Sequence, residues 1–260
     1  MTDVGLILAG GLTGLLVGLT GVGGGALMTP VLLVFFGVHP LTAIATDLWY
    51  SVFTKSVAAG IHHRSGQVDW QVVKRLWWGS LPSALAVVLA IHLGMQRSTM
   101  DGLSKVVGAL VMVTALGLFL APRLSLQARH RRLDNPEKFK AAQPLLTLMA
   151  GALLGVCVAL TSVGAGALGG VLLLYLYPLR MTPNRLVATD LMHAIPLAVV
   201  AGLGYLSAGM VDGALLLHLL EGSIPGAVAG SLLAGKLEGR WLKRVLAVVL
   251  LLAGFRTLMK

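Results

Sequence analysis

Charge is scarce in this chain and cysteine is almost absent. Acidic and basic residues together make up 12% of the 260 residues, where a soluble domain carries about 25%. Cys157 is the only cysteine, which excludes an intrachain disulfide and any CxxC metal or redox site. Several catalytic signatures are missing as well. The chain has no HExxH, no GxSxG, no catalytic cysteine constellation and no GxxxxGKS/T phosphate loop, which argues against an intramembrane enzyme and against an ATP-driven pump within this chain. No segment alternates in polarity over about ten residues, so an outer-membrane β-barrel does not fit. The start, Met1-Thr2-Asp3, lacks the basic region of a signal peptide, so the first apolar segment is expected to stay in the mature protein.

What the chain has in abundance is apolar length. Hydrophobic residues make up 57%, and runs close to the roughly 20 residues that span a bilayer recur throughout. They cover approximately 4–36, 41–61, 70–93, 103–120, 144–177, 184–206, 213–234 and 242–258. The expected fold class is an all-α polytopic membrane protein. The net charge of +10 would suggest nucleic acid in a soluble protein. Here the basic residues lie between apolar segments and read as orientation signals.

A second abundance is repetition. Leu19-Thr20-Gly21-Val22-Gly23-Gly24-Gly25-Ala26-Leu27 is echoed by Leu160-Thr161-Ser162-Val163-Gly164-Ala165-Gly166-Ala167-Leu168. An offset of 143 residues then carries Pro40 to Pro183, Asp47 to Asp190, Asp69 to Asp212 and Pro82 to Pro225. An internal repeat of this length in so apolar a chain points to a transporter. We divide the chain into a first transmembrane repeat over 1–121, a basic linker over 122–143 and a second repeat over 144–260.

The first and fifth apolar runs are too long for one crossing. Residues 4–36 as one helix would measure about 50 Å, against a hydrocarbon core of about 30 Å. Each run contains its glycine-rich motif, so each is read as a broken pair: a longer helix, an unwound turn and a shorter helix running back. Three spanning helices follow in each repeat. Irregular backbone at membrane depth is tolerated only where protein buries it or it lines a wet cavity. Basic residues support this parity. The linker, with Arg123, Arg129, Arg131, Arg132, Lys138 and Lys140, is placed in the cytoplasm. Counting outward puts Arg64, Lys74, Arg75 and the hinge with Lys236, Arg240, Lys243 and Arg244 inside, and both termini outside. Inverted repeats fit these charges better than parallel ones.

The repeated glycine turn, the paired Ala-Thr-Asp-Leu runs, His62-His63-Arg64-x-Gly66-x-Val68-Asp69-Trp70 and Gly222-Ser223-Ile224-Pro225-Gly226 together resemble the sulfite exporter TauE/SafE family of membrane permeases. The resemblance covers essentially the whole chain. It implies a permease of the bacterial cytoplasmic membrane that moves sulfur-containing anions such as sulfite or organosulfonates. The second turn departs from the first where Ser162 replaces Gly21 and Ala165 replaces Gly24.

Candidate substrate-binding residues follow from the turns. A helix broken inside the membrane presents backbone N–H groups at a new N-terminus, which binds small oxyanions without a basic side chain. Gly21, Gly23, Gly24, Gly25, Ser162, Gly164 and Gly166 would allow close approach of the backbone. Thr20 and Thr161 could add hydroxyl donors. The upstream glycines Gly10, Gly14, Gly18, Gly151 and Gly155 read instead as a small-residue packing face. Lys55 lies in an apolar helix, where an ammonium either faces a cavity or an opposing charge, or snorkels to the interface. Asp47 is eight residues away, about 12 Å along a helix, so Asp190 is the better partner for Lys55. Asp47 and Asp190 read either as helix-start acids or as proton-linked carboxylates, with His193 on the same face as Asp190. His218 and Glu221 share a face but make no metal centre alone.

The expected function is secondary transport of a small anion by alternating access. The rivals are a cation or metal permease using Asp47 and Asp190, and, behind it, an intramembrane enzyme. Expected partners are the anion, the lipid bilayer, a coupling proton or ion and a second copy of the chain as a homodimer. No cofactor, resident metal or nucleic acid is expected.

Overall fold

The structure is a computed structural model. It describes residues 3–20, 24–63, 68–92, 136–164 and 166–233, with scattered helical positions between 105 and 127 and between 248 and 255. Among the described residues there are eight helices and no strand. They are α1 (Asp3–Thr20), α2 (Gly24–Phe35), α3 (Pro40–His63), α4 (Trp70–His92), α5 (Pro136–Thr161), α6 (Ala167–Leu176), α7 (Pro183–Ser207) and α8 (Gly213–Leu233).

Five of them are long and apolar enough to cross a membrane: α1, α4, α5, α7 and α8. At 24 residues α3 is also long enough, but it carries Thr46, Asp47, Ser51, Thr54 and Lys55, all buried. Its polar face is covered by neighbouring helices, while Phe53 is exposed on the other side. Outward stripes show where lipid would lie. Val4, Leu8 and Leu12 are exposed on α1, and Leu145, Met149 and Leu153 on α5, each set at i, i+4, i+8 spacing.

Proline starts the two central helices. Pro40 and Pro183 are the first residues of α3 and α7, where a missing N–H costs nothing and φ is pre-set. Thr182 caps α7 by accepting from the Arg185 N–H at 3.4 Å. Asp47 and Asp190 therefore lie about two turns inside their helices. That corrects their reading as helix-start acids. The linker boundary also shifts, since α5 begins at Pro136, upstream of its apolar run, and Gln143 is buried within it.

Contacts fix the relative directions. Thr46 on α3 meets the start of α8 at Asp212, and Thr54 meets Ser223 further along, so α3 and α8 run parallel. Trp49 near the start of α3 donates to the Gly202 carbonyl near the end of α7, and Asp69 beyond the end of α3 donates to Thr189 near the start of α7. Those two helices are antiparallel. Short helix α6 runs back along α5, because Gln143 Nε2 donates to the Leu176 carbonyl and Thr147 Oγ1 meets the Tyr177 hydroxyl. In the same way α2 is antiparallel to α3, with Thr29 beside Asp47.

Two seams hold the bundle at backbone distance. A Cβ added at Gly10, Gly14 or Gly18 would sit 2.2, 2.4 or 2.3 Å from the carbonyl oxygens of Leu219, Ser223 and Ala227. Reciprocally, a Cβ at Gly222, Gly226 or Gly230 would sit 1.8, 2.3 or 2.2 Å from those of Ile7, Gly11 and Leu15. The rising order on both strands of the seam makes α1 and α8 parallel. The α4–α5 seam is built alike: Gly151 meets the Leu76 carbonyl, Gly155 that of Ser80 and Gly79 that of Leu148. Helices in lipid have no hydrophobic drive toward each other, so close backbone approach between small residues supplies the attraction. The upstream glycines are packing residues.

Candidate functional site

The antiparallel pair α3 and α7 carries eight of the nineteen buried polar side chains among the described residues, Asp47, Lys55 and Asp190 included. Polar groups out of water are costly unless partnered, and carboxylates at this depth in a membrane protein mark functional positions by default. Asp47 is fully buried. Its Oδ2 accepts from the Thr29 hydroxyl at 2.5 Å and from the Thr29 N–H at 3.1 Å. Ser162 lies close to this carboxylate, yet neither Asp47 Oδ1 nor Ser162 Oγ makes a hydrogen bond among the described residues.

Asp190 holds the corresponding place in the second half. Its Oδ1 accepts from the Gly166 N–H at 3.2 Å, at the very start of α6. A carboxylate thus already occupies the helix N-terminus where an oxyanion was expected. Gly169 lets it lie there, since a Cβ at that position would be 2.6 Å from Asp190 Oδ1. Asp190 Oδ2 has no hydrogen-bond partner among the described residues. Lys55 lies within Coulombic reach of both acids. At 2% exposure its ammonium does not snorkel to the surface.

A ring of hydroxyls and one imidazole surrounds these charges. His193 Nε2 meets Ser80 Oγ at 3.0 Å, and its Nδ1 is unpartnered among the described residues. Thr54 Oγ1 meets Ser223 Oγ at 2.9 Å. The Tyr50 hydroxyl meets Thr13 Oγ1 at 2.6 Å. Thr13, Thr29, Tyr50, Thr54, Ser80 and Ser223 were not singled out from the sequence. Ser80 and Ser223 had a signal, because each precedes a proline by two residues at matched places in the two halves.

Of the first turn, Gly21 and Gly23 lie outside the described residues, and Gly24 and Gly25 open α2. The second turn is strained in the way a broken helix requires. Gly164 and Gly166 have φ of 139° and 105°, and Ser162 has φ of 57°. Left-handed backbone of this kind favours glycine, which is what the first copy has at the Ser162 position, Gly21. The turn threonines point elsewhere. Thr20 donates to the Leu16 carbonyl and Thr161 to the Cys157 carbonyl, both at 2.7 Å. A hydroxyl has one hydrogen to give, so each is engaged with its own helix.

Each Thr-Asp pair also ties its half to the other. The Thr189 hydroxyl accepts the Asp69 N–H at 3.0 Å, and the Thr46 hydroxyl accepts the Asp212 N–H at 3.3 Å. Both donors sit just before a helix, α4 or α8. Farther out, Glu221 is exposed, and among the described residues no three His, Cys, Asp or Glu side chains converge as a metal site would need.

Comparison with known proteins agrees on class. The family model described as sulfite exporter TauE/SafE matches residues 6–257. A probable membrane transporter protein, YjnA of Bacillus subtilis (strain 168), is 35% identical over 257 residues, covering 98% of this chain and 99% of its own. Another from that organism, YdhB, is 28% identical over 229 residues, covering 87% and 88%. A probable membrane transporter protein of Haemophilus influenzae is 26% identical over 167 residues, covering 62% of this chain and 58% of its own. No solved structure matches the chain.

Proposed function

The chain belongs to the sulfite exporter TauE/SafE family of membrane transporters, and from that premise we propose that it carries a small oxyanion, sulfite or an organosulfonate, across the cytoplasmic membrane by alternating access. The observation that carries this is the placement of Lys55. Among the described residues it is the one buried ammonium, and it lies where α3 crosses α7, within Coulombic reach of two acids that each accept a backbone N–H at a short helix.

The direction of the helices supports an inverted repeat. Helices α1, α3 and α8 run one way and α4, α5 and α7 the other, so among the described residues each long helix of the first half opposes its counterpart in the second. The packing is unchanged by exchanging the halves, with α1 on α8 as α5 is on α4, and with the Thr46–Asp212 and Thr189–Asp69 contacts interchanging. Rocking one half against the other about the α3–α7 crossing would expose the site to each side in turn.

Charge counting gives the coupling. One ammonium beside two carboxylates leaves no spare positive charge for an anion. The oxyanion enters by displacing the Asp190 carboxylate from Lys55 and from the Gly166 N–H, and Asp190 takes up a proton as it leaves. Asp47 and His193 complete a proton path through Ser162 and Ser80. Anion and proton then move together. The chain acts as a permease and not as an enzyme, in the bacterial inner membrane, with the linker cytoplasmic and the termini outside. The rival cation permease has Asp47 Oδ1 and Asp190 Oδ2 in its favour, two buried oxygens unpartnered among the described residues. Reconstitution into liposomes with sulfite, thiosulfate, sulfoacetate, sulfate and divalent metals separates the two. Uptake of a sulfur oxyanion with no metal flux supports the anion reading, and the converse supports the cation permease.

A further inference from the structure

We propose that Asp69, Arg180 and Arg185 form an ion-pair latch that shuts one end of the transport path, and that the matched positions at the opposite end form none. The inference rests on the transport reading above for the path itself.

The latch joins three elements. Asp69 stands just before α4 and its side chain is 1% exposed. Arg180, in the turn between α6 and α7, donates from Nη2 to Oδ1 at 2.7 Å, and its Nε lies 2.5 Å from Oδ2 as an ion pair. A hydrogen bond between two charged groups is shorter and stronger than a neutral one. Arg185, in the first turn of α7, adds Nη2 to Oδ2 at 3.2 Å. Arg180 also reaches Gln71 Oε1 at 3.0 Å, so the turn is tied to both sides of the α4 start. The arginine side chains are 35% and 38% exposed. The carboxylate is thus inside and the guanidiniums form the rim.

The other end shows what is special here. The repeat offset carries Asp69 to Asp212, but it carries Arg180 to Gly37 and Arg185 to Thr42. Asp212 is exposed, and its Oδ1 caps α8 through the Leu215 N–H at 3.0 Å. Both aspartates keep the backbone bond to the opposite half's threonine. Backbone architecture is therefore common to the two ends, while among the described residues the charged bolt exists at only one. Opening that end must part the α6–α7 turn from the start of α4, and this breaks the grip of Arg180. The latch also touches the site. Asp69 donates to Thr189, the neighbour of Asp190, and Arg185 lies one turn before Thr189 on the same helix. Release of Asp190 by an incoming anion therefore acts on the residue that holds the latch backbone.

The test reads access and needs no transport. In a Cys157→Ser, Ser51→Cys background, a charged, membrane-impermeant thiol reagent is added separately to each side of sealed vesicles. Ser51 is a buried α3 residue between Asp47 and Lys55. Asp69→Asn is expected to raise the labelling rate about tenfold from one side only, the equivalent of ~1.4 kcal/mol, whereas Asp212→Asn leaves labelling unchanged from either side. Unchanged labelling in Asp69→Asn, or an equal rise from both sides, overturns the latch. If Asp69→Asn does not purify as a single species, Arg180→Gln with Arg185→Gln carries the same expectation, because both side chains sit at the rim. A one-sided rise in a protein that moves no oxyanion refutes the transport reading and keeps the latch. Oxyanion flux in the parent with unchanged labelling in the variants refutes the latch alone.

Discussion

Gly222→Ala is the substitution whose cost the structure sets most tightly. The new Cβ would lie 1.8 Å from the Ile7 carbonyl oxygen, 2.7 Å from the Gly11 nitrogen and 2.8 Å from the Ile7 carbonyl carbon. All three are backbone atoms, so no side chain can rotate away. To restore a contact of about 3.5 Å, α1 and α8 must part by roughly 1.5 Å, and a gap of about 0.5–1 Å already forfeits a quarter to a half of each dispersion contact. The loss propagates along the seam, because Gly10, Gly14, Gly18, Gly226 and Gly230 all depend on the same separation. We expect about 2–3 kcal/mol of destabilisation, the upper end for overpacking, which lowers the melting midpoint by roughly 4–12 °C in a chain of this size. Thermal unfolding of purified protein in detergent, followed by tryptophan fluorescence, measures it. Gly60→Ala is the internal control. Gly60 lies within α3 with nothing within 4 Å of its added Cβ, so alanine there should gain up to about 1 kcal/mol of helix propensity. If Gly222→Ala melts with the parent, the seam is looser than described and the glycine-packing argument fails.

Three further outcomes follow from the site and the topology. Lys55→Met should abolish oxyanion flux while Lys55→Arg keeps part of it, since the charge persists in a larger and flatter group; unimpaired flux in Lys55→Met would remove Lys55 from the site. Gly164→Ala has room for its Cβ, the nearest atoms being 3.4 Å away, but must hold φ at 139°, a cost of about 1–3 kcal/mol. It should lose ligand-induced thermal stabilisation by sulfite, and a full shift would show that the turn does not shape the site. Reporter fusions should place Lys260 outside and the 122–143 linker inside, and finding both on one side would contradict the inverted arrangement.

Much of the architecture was legible because it leaves periodic marks. Apolar runs gave the described helices, those over 103–120 and 242–258 lying mostly outside the described residues, and small residues at i, i+4 spacing in α1 and α5 gave the seams. Lys55, Asp47 and Asp190 stood out because charge in an apolar helix is expensive and needs a reason. Other features left no such mark. For Asp47 and Asp190 the sequence leaves helix-start acid and proton-linked carboxylate both open, and the start of their helices at Pro40 and Pro183 removes the first. Thr29, Ser80 and Ser223 look like ordinary small polar residues of a membrane helix, and only the crossing of α3 and α7 brings them to the charges. The Arg180–Asp69 pair spans 111 positions, and nothing local to either residue announces the other. Thr20 and Thr161 were legible in place but not in direction, because a threonine hydroxyl near a helix end can bond back to the i−4 carbonyl as readily as forward to a ligand.

The central claim is that an oxyanion takes the place of the Asp190 carboxylate at Lys55 and brings a proton with it. The direct measurement is sulfite movement in proteoliposomes under an imposed pH gradient, with a trapped pH indicator reporting protons in the same vesicles. The account predicts that the gradient drives sulfite in the direction of proton flow, that the two fluxes rise and fall together, and that Lys55→Met abolishes both. Sulfite flux indifferent to the gradient, or metal flux in its place, would contradict it.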